Sequence, residues 1–485
     1  MTYQLSRRRA IQLAALGAAS AVAGGVGLWR SATSGDTLAV VEGGTDIAMP
    51  EALVSEGDLL HVPLVAAAGI RLAGRDTSAL GYNGTSPGPT LRLKPGDALR
   101  VDLTNRLDEP TNLHVHGLHV SPEGNGDNVF VELPPGETFR YEYRLPPDHP
   151  AGTFWYHPHR HGLVADQVFG GLAGAIIVTG DEAEATFDED RVLVVSDTTL
   201  DDEGRIVPPS FQQRMMGRQG RLLLVNGQVQ PILRARQGAR ERWRVINACT
   251  SRFLRLRLED LEFTVLSLDG HRVRQPARRT EVLLAPGNRA DLAIEATAAG
   301  QYRILTEPYD RGGMGMGPMM RGGGATSERE LLAVFDVTSE SGPAEPLRWD
   351  AVQIEDLRDV AVDARRELIF EVGMGGGGMR FLIDGREFDH DRVDTEVRLG
   401  AVEEWVLLNP SPMDHPFHLH VWSFQVLDDG AGPLPEPQWQ DVINVPAGRA
   451  VRIRIRFADF GGRTVYHCHI LDHEDQGMMG VIVAS

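Results

Sequence analysis

One ten-residue signature recurs three times, and it constrains the architecture more than any other feature. Glycine, eight residues and asparagine appear as GDALRVDLTN (96–105), GARERWRVIN (238–247) and GAVEEWVLLN (400–409). A second signature closes each copy, a glycine five residues ahead of a marked position: Gly152 and His157, Gly300 and Leu305, Gly462 and His467. Repetition on this scale means one folding unit written three times. Period-2 segments bounded by Gly, Pro and Asn predict strands, among them Leu91–Asn105, Thr138–Leu145, Glu241–Asn247, Val451–Phe457 and Val481–Val483. No long amphipathic helix is evident. The expected fold is therefore all-β, three consecutive β-domains of one type near 45–182, 183–340 and 341–485.

The copies differ beyond the asparagine. Nine and eleven residues on, the first copy has His114 and His116, the third His418 and His420, and the middle one Leu256 and Leu258. At the closing signature the outer copies have His157 with His159 and His467 with His469, against Leu305 with Glu307 in the middle. Residues i and i+2 of a strand share a face, so each pair can serve one metal cluster. Eight imidazoles from two homologous domains predict a cluster at the interface between them, with the middle domain metal-free. Imidazole alone leaves Cu, Zn, Fe and Ni open.

The fourth pair narrows the choice. It reads His467-Cys468-His469, followed by His473 and Met478. Cys468 points to the strand face opposite its neighbours. With His415, His473 and an axial Met478 it completes the two-histidine, one-cysteine, weak-methionine set of a blue-copper electron-transfer site. An electron leaving that thiolate has a covalent route to His467 and His469. The first copy has Thr111, Pro158 and Leu163 at the places of His415, Cys468 and His473, so it should contribute to the cluster alone.

Composition excludes other classes. Acidic residues outnumber basic ones 67 to 48, a net charge of −19 that argues against a nucleic-acid partner. Two cysteines, Cys249 and Cys468, are too few for a disulfide framework, and Cys249 is expected to be a buried free thiol. Residues 1–44 read as an export signal and linker. Ser6-Arg7-Arg8 opens a weakly apolar run with Ala21-Val22-Ala23 as a cleavage site, and it looks like a twin-arginine signal to the periplasm or outside the cell. No other stretch is long and apolar enough for a membrane span.

The motifs HVHG (114–117), WYHPH (155–159), HPFHLH (415–420) and HCHILDHEDQGMM (467–479) resemble, in order and spacing over about residues 85–485, those of the multicopper oxidases, which include laccases, cuprous oxidases and bilirubin oxidases. The resemblance implies three consecutive cupredoxin-like Greek-key β-barrel or sandwich domains and four coppers per chain. His114 and His418 would hold the type 2 copper, and His116, His157, His159, His420, His467 and His469 the type 3 pair. His415, Cys468, His473 and Met478 would hold type 1. Family members take electrons singly from a reductant and reduce O₂ to water. Val421-Trp422 stands where many relatives have glycine after the third motif, and His157-Pro-His159-Arg-His161 where many have HSHxxxQ; no ligand is lost.

O₂ reduction consumes protons, so a carboxylate relay is expected, with Glu474 and Asp127 the candidates. His119 and His161 are expected to be supporting or surface residues. Met314, Met316, Met319 and Met320 lie in a glycine-rich run, with Met374 and Met379 in a second. Thioether is a soft ligand suited to Cu(I), which points to a cuprous substrate site like that of the family's cuprous oxidases. The expected partners are O₂ and a small reductant or Cu(I), acting on a monomer. The alternative is a copper-binding electron carrier or copper-sequestering protein without O₂ turnover. The complete ligand set at both sites disfavours it, since a carrier needs only type 1.

Overall fold

A computed structural model describes residues 44–180, 187–313, 325–326, 328–342, 353–375 and 378–485. Met314, Met316, Met319, Met320 and the export signal lie outside the described residues, apart from Gly44.

Three β-sandwiches follow one another. In the first, a five-stranded sheet (Ala52–Val54, Thr90–Leu93, Gly174–Val178, Gly152–His157, His114–His116, in spatial order) packs on a four-stranded one built on Leu59–Ala68 and Ala98–Arg106. The middle and last sandwiches each pair a six-stranded with a five-stranded sheet. Ile453 and Trp405 from one sheet of the last sandwich share a core with Phe417 and Tyr466 from the other. Helix among the described residues is limited to short pieces such as Val164–Gly170, Phe211–Met216 and Leu471–Asp475, none able to cross a membrane.

The recurring signature has a physical cause. Gly96, Gly238 and Gly400 all adopt positive φ (87°, 86° and 79°), at turns leading into the strand. Each asparagine is buried and ties the strand's end to two carbonyls: Asn105 to Glu109 and Leu133, Asn247 to Arg252 and Leu284, Asn409 to Met413 and Val445. Its side-chain oxygen accepts from the backbone N–H two residues on. A buried amide satisfied on both ends is costly to replace.

Three expectations need correction. Leu91–Asn105 is two strands, because Pro95-Gly96 turns the chain and Asp97 caps that turn through the Lys94 N–H. His159, His420 and His469 lie just past the last residue of their strands, so strand alternation strictly describes only His114/His116. Pro158 lacks an N–H to continue the first ladder. The middle copy keeps its glycine spacing but not its pairing. His114 faces His157 and His418 faces His467, whereas Leu256 faces Thr306, beside an irregularity in pairing between Ile304 and Leu305.

Candidate metal centre

Eight buried imidazoles meet between the first and last sandwiches. Ring stacking across the interface, His114 on His420 at 3.9 Å and His116 on His418 at 3.8 Å, completes what the strand ladders begin. Donor nitrogens fall into three groups with all atoms within 4.8 Å: His114, His116 and His418; His116, His157 and His469; His159, His420 and His467. Every group draws on both domains, so neither domain can complete a site alone.

The ring nitrogens show that these groups suit a metal. One nitrogen of each of four rings has a fixed partner. His114 Nδ1 lies 2.9 Å from Asp127, His116 Nε2 3.0 Å from Asp441, His157 Nδ1 2.9 Å from the Pro158 carbonyl and His418 Nδ1 2.8 Å from the Asp441 carbonyl. The other nitrogen of each is buried without a hydrogen-bond partner, as are both of His469. His467 Nε2 lies 3.1 Å from the Nε2 atoms of both His159 and His420. A buried nitrogen left unsatisfied costs about 1–3 kcal/mol, so this many in one place mark donors arranged for a cation. Burial also favours the neutral, ligating form of seven of the rings. It pushes His157 down to about 3 and His159 to about 4, with His114, His116, His418, His420 and His469 well below the usual imidazole range.

The fourth group lies on the other face of the same sheet. Phe417 pairs with Cys468 and His418 with His467, so alternation sends His415 and Cys468 one way and His418 and His467 the other. His415 Nδ1 is 3.5 Å and His473 Nδ1 3.9 Å from Cys468 Sγ. Their remote nitrogens are held by Ser411 Oγ at 2.9 Å and the Met215 carbonyl at 3.3 Å. Phe381 stacks on His473 at 4.1 Å. Met478 is fully buried in this core, and its backbone bonds to Cys468 and His473. Burial pushes the Cys468 thiol up, so a bound cation must supply the charge that makes it a thiolate.

Helix Leu471–Asp475 joins the two faces, and its polar side chains go to four places. Asp472 pairs with the buried Arg218 of the middle sandwich at 2.6 Å. His473 faces Cys468. Glu474 is fully buried, 3.1 Å from His467 Nδ1 and 3.5 Å from His159 Nε2. Asp475 accepts the N–H groups of Gly162, Val164 and Ala165 in the first sandwich.

Both carboxylate candidates therefore reach the cluster. Asp127 also accepts the Val115 N–H at 3.0 Å, and burial pushes its carboxyl up to about 8. His119 bonds the Val421 carbonyl, and His161 lines a cavity beside His159, so both flank the cluster outside the donor groups. Cys249 is a buried free thiol 3.8 Å from the Val195 carbonyl. Leu256, Leu258, Leu305 and Glu307 belong to none of the donor groups, and Glu307 pairs with Arg257 and Arg329. Met379 packs on the edge of the last core. Sequence reasoning missed Ser411, Asp441, Arg218 and Arg289. No spacing marks Asp441, Arg218 and Arg289, because the middle and last domains' packing brings them to the site; the one signal for Ser411 is local, two residues after Asn409 and four before His415.

Histidine clusters fed by a buried cysteine–histidine group on the opposite sheet face define a copper redox protein. Three family models described as multicopper oxidase match residues 65–183, 153–321 and 359–485. The solved multicopper oxidase of Campylobacter jejuni, titled a metallo-oxidase, superposes with a TM-score of 0.80 at 30% identity, covering 91% of this chain and 95% of that one. The multicopper oxidase mco of Staphylococcus aureus is 29% identical over 422 residues, 84% of each chain. A laccase of Bacillus stratosphericus is 29% identical over 463 residues, 82% of this chain and 89% of that one. The chain belongs to the multicopper oxidase family. Its three sandwiches are cupredoxin-like domains, and it is a laccase-like, copper-dependent oxidoreductase that uses O₂.

Proposed function

We propose that the chain holds four coppers and oxidises Cu(I) and phenols at the expense of O₂. The type 1 copper is held by His415, Cys468, His473 and Met478, and type 2 by His114 and His418. The type 3 pair is held by His116, His157 and His469 and by His159, His420 and His467. The observation that carries this is the division of faces: Cys468 and His467, adjacent in sequence, belong to donor groups on opposite sides of one sheet. Copper bound there supplies one-electron oxidation and O₂ reduction. Glu474 and Asp127 relay protons from solvent to the cluster, against which they are held at His467 Nδ1 and His114 Nδ1. A cavity of about 290 Å³ has His159 in its wall together with apolar Val129, Phe388 and Met479 and polar Glu132, Arg160 and His161, and gives O₂ and water a way to the cluster.

The cuprous substrate rests on Met314, Met316, Met319 and Met320. Gly313, next to the first of them, packs against the Met216 methyl, and Gly312 pairs with Met413, two residues before His415. The described chain leading into this run thus lies against the segment that carries His415. The protein acts as a monomer, and its twin-arginine signal exports it folded, with copper loaded. Elemental analysis should give about four coppers per chain, with O₂ uptake on both a simple phenol and Cu(I). Replacing the four loop methionines with leucine should lower kcat/KM for Cu(I) at least about tenfold and leave phenol oxidation unharmed. An equal response of both substrates would return the loop to a structural role. Glu474→Gln should slow O₂ consumption more than bleaching of the blue band by reductant; equal slowing would remove Glu474 from the proton route.

A further inference from the structure

Two carboxylates, at different places in the repeat, face repeat-related histidines of the cluster. The repeat relates His114 to His418 and His116 to His420. Asp127 lies 2.9 Å from His114 Nδ1 and 3.8 Å from His420 Nδ1; Asp441 lies 3.0 Å from His116 Nε2 and 3.8 Å from His418 Nδ1. Each carboxylate therefore touches one histidine from each outer domain.

Their charged partners differ. Asp441 receives both terminal nitrogens of Arg289 at 2.6 Å, a bidentate pair, whereas none of the described arginines pairs with Asp127. Arg289 is fully buried and comes from the middle sandwich. It also donates to the Thr153 carbonyl of the first at 3.1 Å and the Gly287 carbonyl of its own at 3.2 Å, so one guanidinium binds all three domains.

The chain is shaped around this pair. Gly117, next to His116, has φ +86°, and a Cβ there would stand 2.4 Å from both Arg289 Nη2 and Asp441 Oδ2. Its repeat equivalent next to His420 is Val421, also left-handed at φ +69°, where a full side chain is accommodated. In this chain the glycine stands where the guanidinium lies, and the valine where the described residues place none.

We propose that Arg289 is a positioning residue lent to the cluster by the metal-free middle domain. It holds the Asp441 carboxylate in one orientation against His116 Nε2, so that His116 offers Nδ1 to the metal, whereas Asp127 is oriented by its own domain through the Val115 N–H. This rests on reading the cluster as a copper site. A lysine keeps the charge but cannot form the fork.

The test is copper affinity, measured by competition with a chelator on Arg289→Met, Arg289→Lys and Gly117→Ala, with the blue band and the EPR spectrum followed in parallel. Loss of such a supporting partner weakens metal binding about 10–100-fold. Arg289→Met and Gly117→Ala should show that loss at the cluster while keeping the blue band of the remote Cys468 group, which also reports folding. Arg289→Lys should fall between them and the parent. Should Arg289→Met fail to fold, Arg289→Lys decides: parental affinity and EPR spectrum in that variant overturn the proposal. Equal loss of the blue band and cluster copper in folded variants also overturns it, since the effect would then be general. A parent protein without copper at the histidine cluster would sink the underlying assignment instead.

Discussion

The middle sandwich and its two neighbours share a backbone signature and have divided the work. Asn105, Asn247 and Asn409 make the same pair of carbonyl bonds, so all three copies turn the same corner. In the outer copies the residues beyond that corner are imidazoles at an interface. In the middle copy Leu256 and Leu258 are interior core with Trp243 and Phe335. Freed from ligation, the middle copy supplies supports instead: Arg218 to Asp472, the Met215 carbonyl to His473, and Arg289 to Asp441. A repeat can lose its metal without losing its place at the metal site.

The two cysteines give the largest contrast. Cys468→Ser should abolish the thiolate-to-copper absorption and leave an EPR signal from cluster copper. Cys249→Ser, at a thiol whose contact is the Val195 carbonyl, should leave the visible spectrum as it was. A blue Cys468→Ser protein would overturn the type 1 assignment.

Arg218→Met comes next. Arg218 and Asp472 are both nearly inaccessible to solvent, and removing one partner of a buried pair costs about 3–5 kcal/mol. The helix carrying His473 and Glu474 loses its ionic tie to the middle sandwich and keeps its hydrogen bonds to Met215 and Thr250. Denaturant unfolding should show the loss, and the blue band should shift because His473 follows Asp472. A destabilised protein with an unaltered band would limit Arg218 to holding domains together.

Leu256→Ala probes the ligand position of the metal-free copy. Truncating a leucine that is 2% exposed should cost about 2–5 kcal/mol with copper content unchanged. Copper loss from a variant that stays folded would contradict the repeat alignment.

These contrasts also explain what the sequence displayed. The glycine–asparagine signature is legible because it is local: a turn and a capped strand end lie within ten residues. The histidine pairs and Cys468 are legible because few chemistries need those side chains at that spacing. The middle copy's register is not, since Gly300 and Leu305 keep their spacing while the ladder beside them slips by one residue. Asp441 and Arg289 are 152 positions apart, and Arg218 and Asp472 254 apart. A lone acid or arginine in a chain with this many charges gives no sign of its partner.

The smallest effect is expected where the two halves of the cluster differ, at Gly117 and Val421. Val421 is left-handed, a conformation that costs a non-glycine residue about 1–2 kcal/mol. It is also 5% exposed, and burying a valine side chain contributes about 1.5–3 kcal/mol. The two terms nearly cancel. Val421→Gly should therefore cost only about 1 kcal/mol or less once strain relief offsets lost burial. Val451→Gly, in the unstrained strand Arg449–Arg456 and fully buried, has no such offset and should cost clearly more. Melting temperatures of the two variants make the comparison. Equal losses would mean that the backbone beside His420 stores no strain, and that valine is tolerated there only because no guanidinium occupies the space that Arg289 takes beside Gly117.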